Sequence, residues 1–187
     1  KLVYPISFGK DIRQVELNGE AYFDVRKDKT KPFIVRNKDL NLTVLGTQFN
    51  IQNYSDEHEI ITTLVEGAVQ LSSDKTILLP GEQATYNKAT REVQVETVDT
   101  ELFTAWREGR LIFKSTRLET VLKQLSRWYD VKFVYEEERL KDLIFSGKMK
   151  KYDNGNVILG ILKATGKIDF IQQDSVIHVK RQLKQRL

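Results

Sequence analysis

Short runs in which apolar and polar positions alternate fill the chain from Ile12 to about Val98. They are Val15 and Leu17; Phe23 and Val25; Phe33 and Val35; Leu42 and Val44; Phe49 and Ile51; Ile60, Thr62 and Leu64; Val69 and Leu71; Ile77 and Leu79; Val93 and Val95. A period of two belongs to a strand with one buried face. Turn chemistry separates the runs at Asn18-Gly19, Gly46-Thr47, Glu66-Gly67, Ser73-Asp74, Pro80-Gly81 and Asn87-Lys88, and no amphipathic helix fits between them. Many short strands with close turns predict an all-β first domain, a short-strand sandwich or a solenoid-like stack.

The pattern changes near Thr100. A mixed polar stretch from Asp99 to Gly109 leads into a short apolar strand, Leu111 to Phe113. Leu118, Val121, Leu122, Leu125 and Trp128 or Tyr129 then recur at helical spacing, so one face of a helix over 117–129 should pack on a sheet. Thr116 and Glu119 read as a capping box at its start. Strands are expected at Val131 to Tyr135 and Leu143 to Met149, with a polar helical turn over Glu136 to Lys141 between them. A second helix is expected over Val157 to Ala164, with Asn154 as its cap, Ile158, Ile161 and Leu162 inward, and Gly166 as its stop. Ile168 to Gln172 and Val176 to Val179 flank Gln173-Asp174-Ser175 as a hairpin. The second domain is therefore a small α+β unit of order β-α-β-β-α-β-β. The expected boundaries are 1–99 for the all-β domain, 100–110 for a linker, 111–180 for the α+β domain and 181–187 for a basic tail.

Composition sharpens this division. Hydrophobic residues make up 40% and charged residues 30% of 187 positions, the balance of a folded protein. The net charge of +4 is unevenly spread: residues 1–99 hold 12 Lys/Arg against 15 Asp/Glu, and residues 100–187 hold 18 against 11. The first unit is thus at −3 and the second at +7, which predicts two units with different surfaces. No run approaches the roughly 20 apolar residues that cross a bilayer. The opening Lys1-Leu-Val-Tyr-Pro-Ile reads as the interior of a longer chain. Cysteine is absent, so no disulfide framework is possible.

Catalytic chemistry finds little to rest on. The two histidines, His58 and His178, sit in strand patterns with charged or alternating neighbours and read as surface side chains. A zinc site would need further ligands, and the Asp56, Glu57 and Glu59 cluster lacks the Gly and the alternation of a calcium loop, so no metal and no cofactor are expected. Glu20 and Asp24, the first carboxylate pair to consider for glycoside hydrolysis, share a strand face with Tyr22 and read as exposed. The glycines stand singly, without a phosphate loop. The basic end, Lys180, Arg181, Lys184 and Arg186, reads as a solvated terminus and not a nucleic-acid contact. Trp128, Tyr129, Phe133 and Tyr135 read as core and not as a base-stacking platform. Neither an enzyme nor a nucleic-acid binder is expected.

Several phrases taken together carry a resemblance: Val15-Glu-Leu-Asn-Gly19-Glu-Ala-Tyr-Phe-Asp-Val25, Pro32-Phe-Ile-Val35, Val44-Leu-Gly-Thr-Gln-Phe-Asn-Ile51, Leu64-Val-Glu-Gly-Ala-Val-Gln-Leu71 and Leu79-Pro-Gly-Glu-Gln83. Their order and spacing resembles the FecR domain of FecR-family anti-sigma regulators. The part from Leu111-Ile-Phe through Leu125-Ser-Arg-Trp-Tyr129 to the final hairpin resembles the domain that follows it in many Bacteroidota regulators, which is similar to the secretin/TonB short N-terminal (STN) fold.

The resemblance implies the periplasmic region of a single-pass inner-membrane anti-sigma factor. Its partners would be the N-terminal signalling domain of a TonB-dependent outer-membrane transducer and an ECF sigma factor. The sigma-binding cytoplasmic segment and its membrane helix lie outside this sequence, as do the first strands of the FecR domain. In such systems the imported ligand is a glycan or a siderophore. The alternative is a carbohydrate-binding β module with an accessory domain, motivated by Tyr22 and Tyr54 as exposed aromatics. A relay needs a docking surface, and unpaired sheet edges recruit partners by strand addition. The basic second domain is the expected place, through Ile144, Phe145, Ser146 and Lys148 on one strand, or Val176 and His178 on the hairpin.

Overall fold

The computed structural model describes residues 1–150 and 155–182. Its contacts divide the chain into two compact units, Lys1–Thr104 and Ala105–Leu187.

The first unit is built from eleven strands: β1 (Leu2–Val3), β2 (Arg13–Leu17), β3 (Gly19–Val25), β4 (Phe33–Arg36), β5 (Leu42–Val44), β6 (Thr47–Asn53), β7 (Glu59–Glu66), β8 (Val69–Leu71), β9 (Ile77–Leu78), β10 (Glu82–Asn87) and β11 (Val93–Thr97). They form a six-stranded sheet of order β1-β2-β4-β5-β8-β9 and a five-stranded sheet of order β11-β10-β7-β6-β3. The inward side chains of both sheets make one core, in which Val35, Leu42, Phe49, Ile51, Ile60, Leu64, Val69 and Leu71 are fully buried. The alternation of the sequence becomes the alternation of burial, as a strand with one covered face requires. The sandwich reading holds.

The chain moves between the sheets at Gly19, Gly46, Gly67 and Gly81, all with positive φ. Gly67 shows why at least one of these corners admits nothing larger. Its φ is 91°, and a Cβ there would lie 2.6 Å from the Gly46 carbonyl oxygen and 2.8 Å from Thr47 Oγ1. Two corners are packed against each other, and a methyl group would separate them.

One strand sits in the opposite register from that expected. The alternation places Ile77 and Leu79 inward, but Leu78 is the buried residue, paired with Val69, while Ile77 and Leu79 face solvent. Three consecutive apolar residues carry no alternation, so the inner face is chosen by the partner strand.

The first unit ends with a short helix, α1 (Glu101–Thr104), and the second opens with a 3-10 turn at Ala105–Glu108, with Ala105 buried. Its elements are β12 (Arg110–Arg117), α2 (Leu118–Tyr129), β13 (Lys132–Tyr135), a 3-10 turn at Glu138–Asp142, β14 (Ile144–Lys150), α3 (Gly155–Ala164), β15 (Ile168–Gln173) and β16 (Val176–Arg181). The order is the predicted β-α-β-β-α-β-β. β12 and β14 pair antiparallel as one sheet, and β13-β16-β15 form a second, with β13 parallel to β16. Leu118, Val121, Leu122 and Leu125 of α2 pack with Leu111, Phe113, Phe145, Met149, Ile158, Leu162, Ile168 and Val179. Trp128, Tyr129, Phe133 and Tyr135 pack partly buried against this core.

Two local expectations fail. There is no capping box, because β12 runs through Arg117, which is itself the N-cap without a side-chain bond. The Leu118 N–H donates instead to the Leu143 carbonyl, and Glu119 in the first turn meets Arg117 and Lys123. In α3, Ile158 and Leu162 are buried but Ile161 is 47% exposed. Apolar residues occur around most of this helix, so the sequence does not fix which face turns inward. Asn154, the expected cap, lies outside the described residues.

Both points are measurable. Gly67→Ala should destabilise the first unit by at least ~1–2 kcal/mol from the left-handed backbone alone, with the steric contact added, read as urea unfolding by circular dichroism. In the second unit, which holds both tryptophans, Trp106 and Trp128, Leu162→Ala should cost about 2–5 kcal/mol. Ile161→Ala should cost less than about 1 kcal/mol. Tryptophan fluorescence follows that unfolding, and equal costs for the two would refute the inward face assigned to α3.

Candidate docking surface

The nominated residues of the second unit separate into those that can meet a partner and those that cannot. β16, which carries Val176 and His178, is the middle strand of its sheet, bonded to β13 on one side and β15 on the other. It offers no edge, and this nomination is corrected. The hairpin Ile168–Gln173 and Val176–Arg181 was recognisable in the sequence, but the parallel pairing of Lys132–Tyr135 onto its far side was not, because no local signal announces a non-local strand pair.

Among the described residues β14 pairs with β12 alone. Its residues alternate between the core and the surface: Phe145 and Met149 are buried, while Ile144, Ser146, Lys148 and Lys150 are exposed. Phe145 therefore holds the strand on its core and does not face a partner. The Lys167 ammonium lies 5.3 Å above its ring and donates to the Ile144 carbonyl at 3.1 Å. Ser146 Oγ accepts the Ser115 N–H at 2.8 Å, which fixes the bulge of β12, where Ser115 has φ 49°. β12 thus has an interrupted outer edge, whereas β14 is regular along its length.

The exposed face of this pair is basic. Arg110 stands directly across from Lys150, and Lys148 across from Ile112, with Lys114 exposed on β12. Arg110 is paired with Glu108 at 2.7 Å. Lys114, Lys148 and Lys150 have no carboxylate partner among the described residues.

In the first unit, the carboxylate pair considered for hydrolysis is not a pair in a cleft. Glu20 is half-buried and accepts hydrogen bonds from Asn50 Nδ2 at 2.9 Å, Gln52 Nε2 at 3.0 Å and Tyr54 Oη at 3.3 Å. Asp24 is exposed four residues along. Glu20 organises a polar sheet face, and the expectation that it is simply exposed is corrected. Tyr22 and Tyr54 are also half-buried with their hydroxyls in use, Tyr22 donating to Gln48 Oε1 at 2.9 Å, so they are not the open platform that carbohydrate binding needs. His58 is exposed in the loop before β7, whose residues Tyr54 and Glu57 are held by Lys88 Nζ through their carbonyls at 2.6 and 2.8 Å. No group of three His, Asp or Glu side chains is placed to hold a metal among the described residues. A cleft of about 750 Å³ opens between the β2–β3, β4–β5 and β6–β7 connections, with Glu16 and Asp39 lining it beside Arg36, Lys38 and Lys88.

Comparison with known proteins agrees with this architecture. Residues 2–70 match the family described as FecR protein, and residues 110–179 match FecR, C-terminal. Two crystal structures of a Parabacteroides distasonis protein assigned as an anti-sigma factor, at 1.65 and 2.50 Å, superpose with TM-scores of 0.85 and 0.83. Their identities are 29% and 30%, over 97% and 96% of this chain and 86% and 85% of theirs. No curated protein matches. The two family matches together, in the order of the two units, are those of a regulatory signalling protein. The chain belongs to the FecR family, whose role is that of anti-sigma signalling.

One half-buried group gives a pH signature for the second unit. Burial, with smaller contributions from Glu119 and Glu138, pushes the Tyr135 phenol up to about 12. A raised phenol favours the neutral folded form, so its contribution is complete below the ordinary value of 10 and is lost as pH rises towards 12. Phenolate absorbance should show one tyrosine titrating last, and Tyr135→Phe should remove that late step. A late step that survives the substitution would refute the assignment.

Proposed function

We propose that the chain is the periplasmic, signal-relaying region of a single-pass inner-membrane anti-sigma factor. It contacts the N-terminal signalling domain of a TonB-dependent outer-membrane transducer, and through a cytoplasmic segment beyond this sequence the full protein controls an ECF sigma factor. It works by binding and not by catalysis. The observation that carries the reading is family membership in both units together, joined to structural neighbours assigned as anti-sigma factors. No described helix is long and apolar enough to cross a membrane, so in this reading the anchor lies elsewhere in the full protein.

The second unit supports the contact. It carries the excess of positive charge and, in β14, a regular strand whose edge is open at Ser146 and Lys148 and capped at Ile144, with Phe145 seating it. Backbone pairing at such an edge supplies affinity and alternate side chains supply selectivity.

The immobilised chain should retain the purified N-terminal domain of the transducer encoded beside its gene. In cells, deleting that domain should abolish ligand-dependent transcription from the cognate sigma promoter. Failure to retain any neighbouring transducer's domain, with transcription unaffected by the deletion, would remove the relay.

A further inference from the structure

We infer that the open edge of β14 takes up an extended, acidic segment of a partner protein, with Ser146, Lys148 and Lys150 as the residues that pair. The inference rests on the docking role proposed above for this unit and supplies the chemistry of the occupant.

The orientation of the edge follows from one hydrogen bond. Lys167 Nζ donates to the Ile144 carbonyl at 3.1 Å, and Ile144 lies opposite Arg117 at the end of the β12 pairing. That carbonyl points away from β12. In a strand the N–H and C=O of one residue point to the same side, and the side changes with each residue. With β14 regular, Ser146, Lys148 and Lys150 therefore also turn their backbone groups outward. The Lys167 side chain closes the edge at Ile144 and leaves the remainder open. The same alternation places the Ser146, Lys148 and Lys150 side chains together on the exposed face. Lys148 and Lys150 thus also present their side chains to an incoming strand, while the Ser146 hydroxyl is held by the Ser115 N–H.

The charge of the occupant follows from the lysines. Lys148 and Lys150, with Lys114 on β12, have no carboxylate partner among the described residues, and Arg110 stands directly across from Lys150. Arg110 is compensated by Glu108, so the positive charge left without a partner among the described residues is that of Lys114, Lys148 and Lys150, and carboxylates at alternate positions of an incoming strand would neutralise it. Lysines on an edge strand also oppose self-pairing, because a second copy would bring lysine against lysine. The same residues that refuse a second copy accept an acidic strand. A nucleic-acid strand fits less well, since the aromatic side chains of this unit, Trp128, Tyr129, Phe133 and Tyr135, are packed against its core.

The test uses the whole chain with a short, fluorescein-labelled synthetic peptide that alternates glutamate with threonine and valine. Anisotropy should show binding that weakens by more than about tenfold in the double variant Lys148→Glu, Lys150→Glu, as expected for opposed charges brought together, and a lysine-for-glutamate peptide should show the reverse preference. Amide exchange should slow at Ser146, Lys148 and Lys150 when the peptide is bound. Tryptophan fluorescence unfolding should be unchanged in the variant. Equal binding of an acidic peptide with proline at alternate positions, which cannot pair, or of a single-stranded DNA oligonucleotide, would overturn strand addition. So would acidic binding that ignores the charge reversal. If the neighbouring transducer's domain binds the double variant as well as the wild type, the relay stands and this edge is not its site. If the peptide docks on β14 but no transducer domain is retained, the edge stands and the relay fails.

Discussion

Every strand carries hydrogen-bonding groups on both sides, and leaving them buried without partners is costly, so a chain of short strands has to find each one two neighbours or an exposed edge. In the first unit this constraint acts together with a single core. β2 and β4 lie side by side and parallel, which they can do only because β3 is placed in the other sheet between them in sequence. The chain then changes sheet at β6, β8 and β10. Each change has to turn the backbone within two or three residues while keeping the next inward side chain on the shared core. That double demand is met by glycine corners, two of which, Gly46 against Lys27 and Gly67 against Gly46 and Thr47, leave no room for a Cβ. The outermost strands of the larger sheet, β1 and β9, are two residues long, which keeps those edges short.

How much of this is legible in the sequence depends on whether the deciding interaction is local. The alternation of Phe49 and Ile51, or of Val69 and Leu71, names both the strand and its inner face, and the single glycines name the corners. Leu118, Val121, Leu122 and Leu125 name the buried face of α2 because the opposite positions are polar. Where the local pattern is degenerate it cannot choose: Ile77-Leu78-Leu79 is apolar throughout, and so is most of α3, and in both cases the packed partner decides. The capping box fails for a related reason. Thr116 and Glu119 have the right spacing, but the strand extends through Arg117, so the helix opens one residue later than the box requires, and a backbone bond to Leu143 takes its place. The position of β16 between β13 and β15 is wholly non-local. A hairpin is visible in the residues, whereas which of its strands faces a third is decided some forty positions earlier, at Lys132 to Tyr135.

The candidate site was legible to the same extent. Exposed and buried alternation along Ile144 to Lys150 can be read from the sequence, and so can the positive charge of the second unit. Two features could not be read. One is the removal of Val176 and His178 from the edge by β13. The other is the role of Lys167, which is distant from β14 in sequence and reaches the Ile144 carbonyl only once α3 has been placed. Residues that look catalytic in one dimension lose that look in the fold: Glu20 is saturated by Asn50, Gln52 and Tyr54, and a carboxylate that accepts three hydrogen bonds on a sheet face is a structural anchor.

An open edge on a regulatory module is a hazard as well as an opportunity, since backbone groups pair with any extended chain. A bulge, as on β12, removes the hazard by removing the edge. Lysines, as on β14, leave the edge intact and restrict its company by sign. The difference between the two strands of one small sheet is therefore informative: β12 has lost its regular outer ladder, and β14 has kept it under a guard of like charge. A guard that only needed to repel could use either sign or a proline. One that repels copies of itself while leaving seven residues of regular strand intact discriminates among partners, and discrimination by partner is what a protein that transmits a signal by binding has to accomplish.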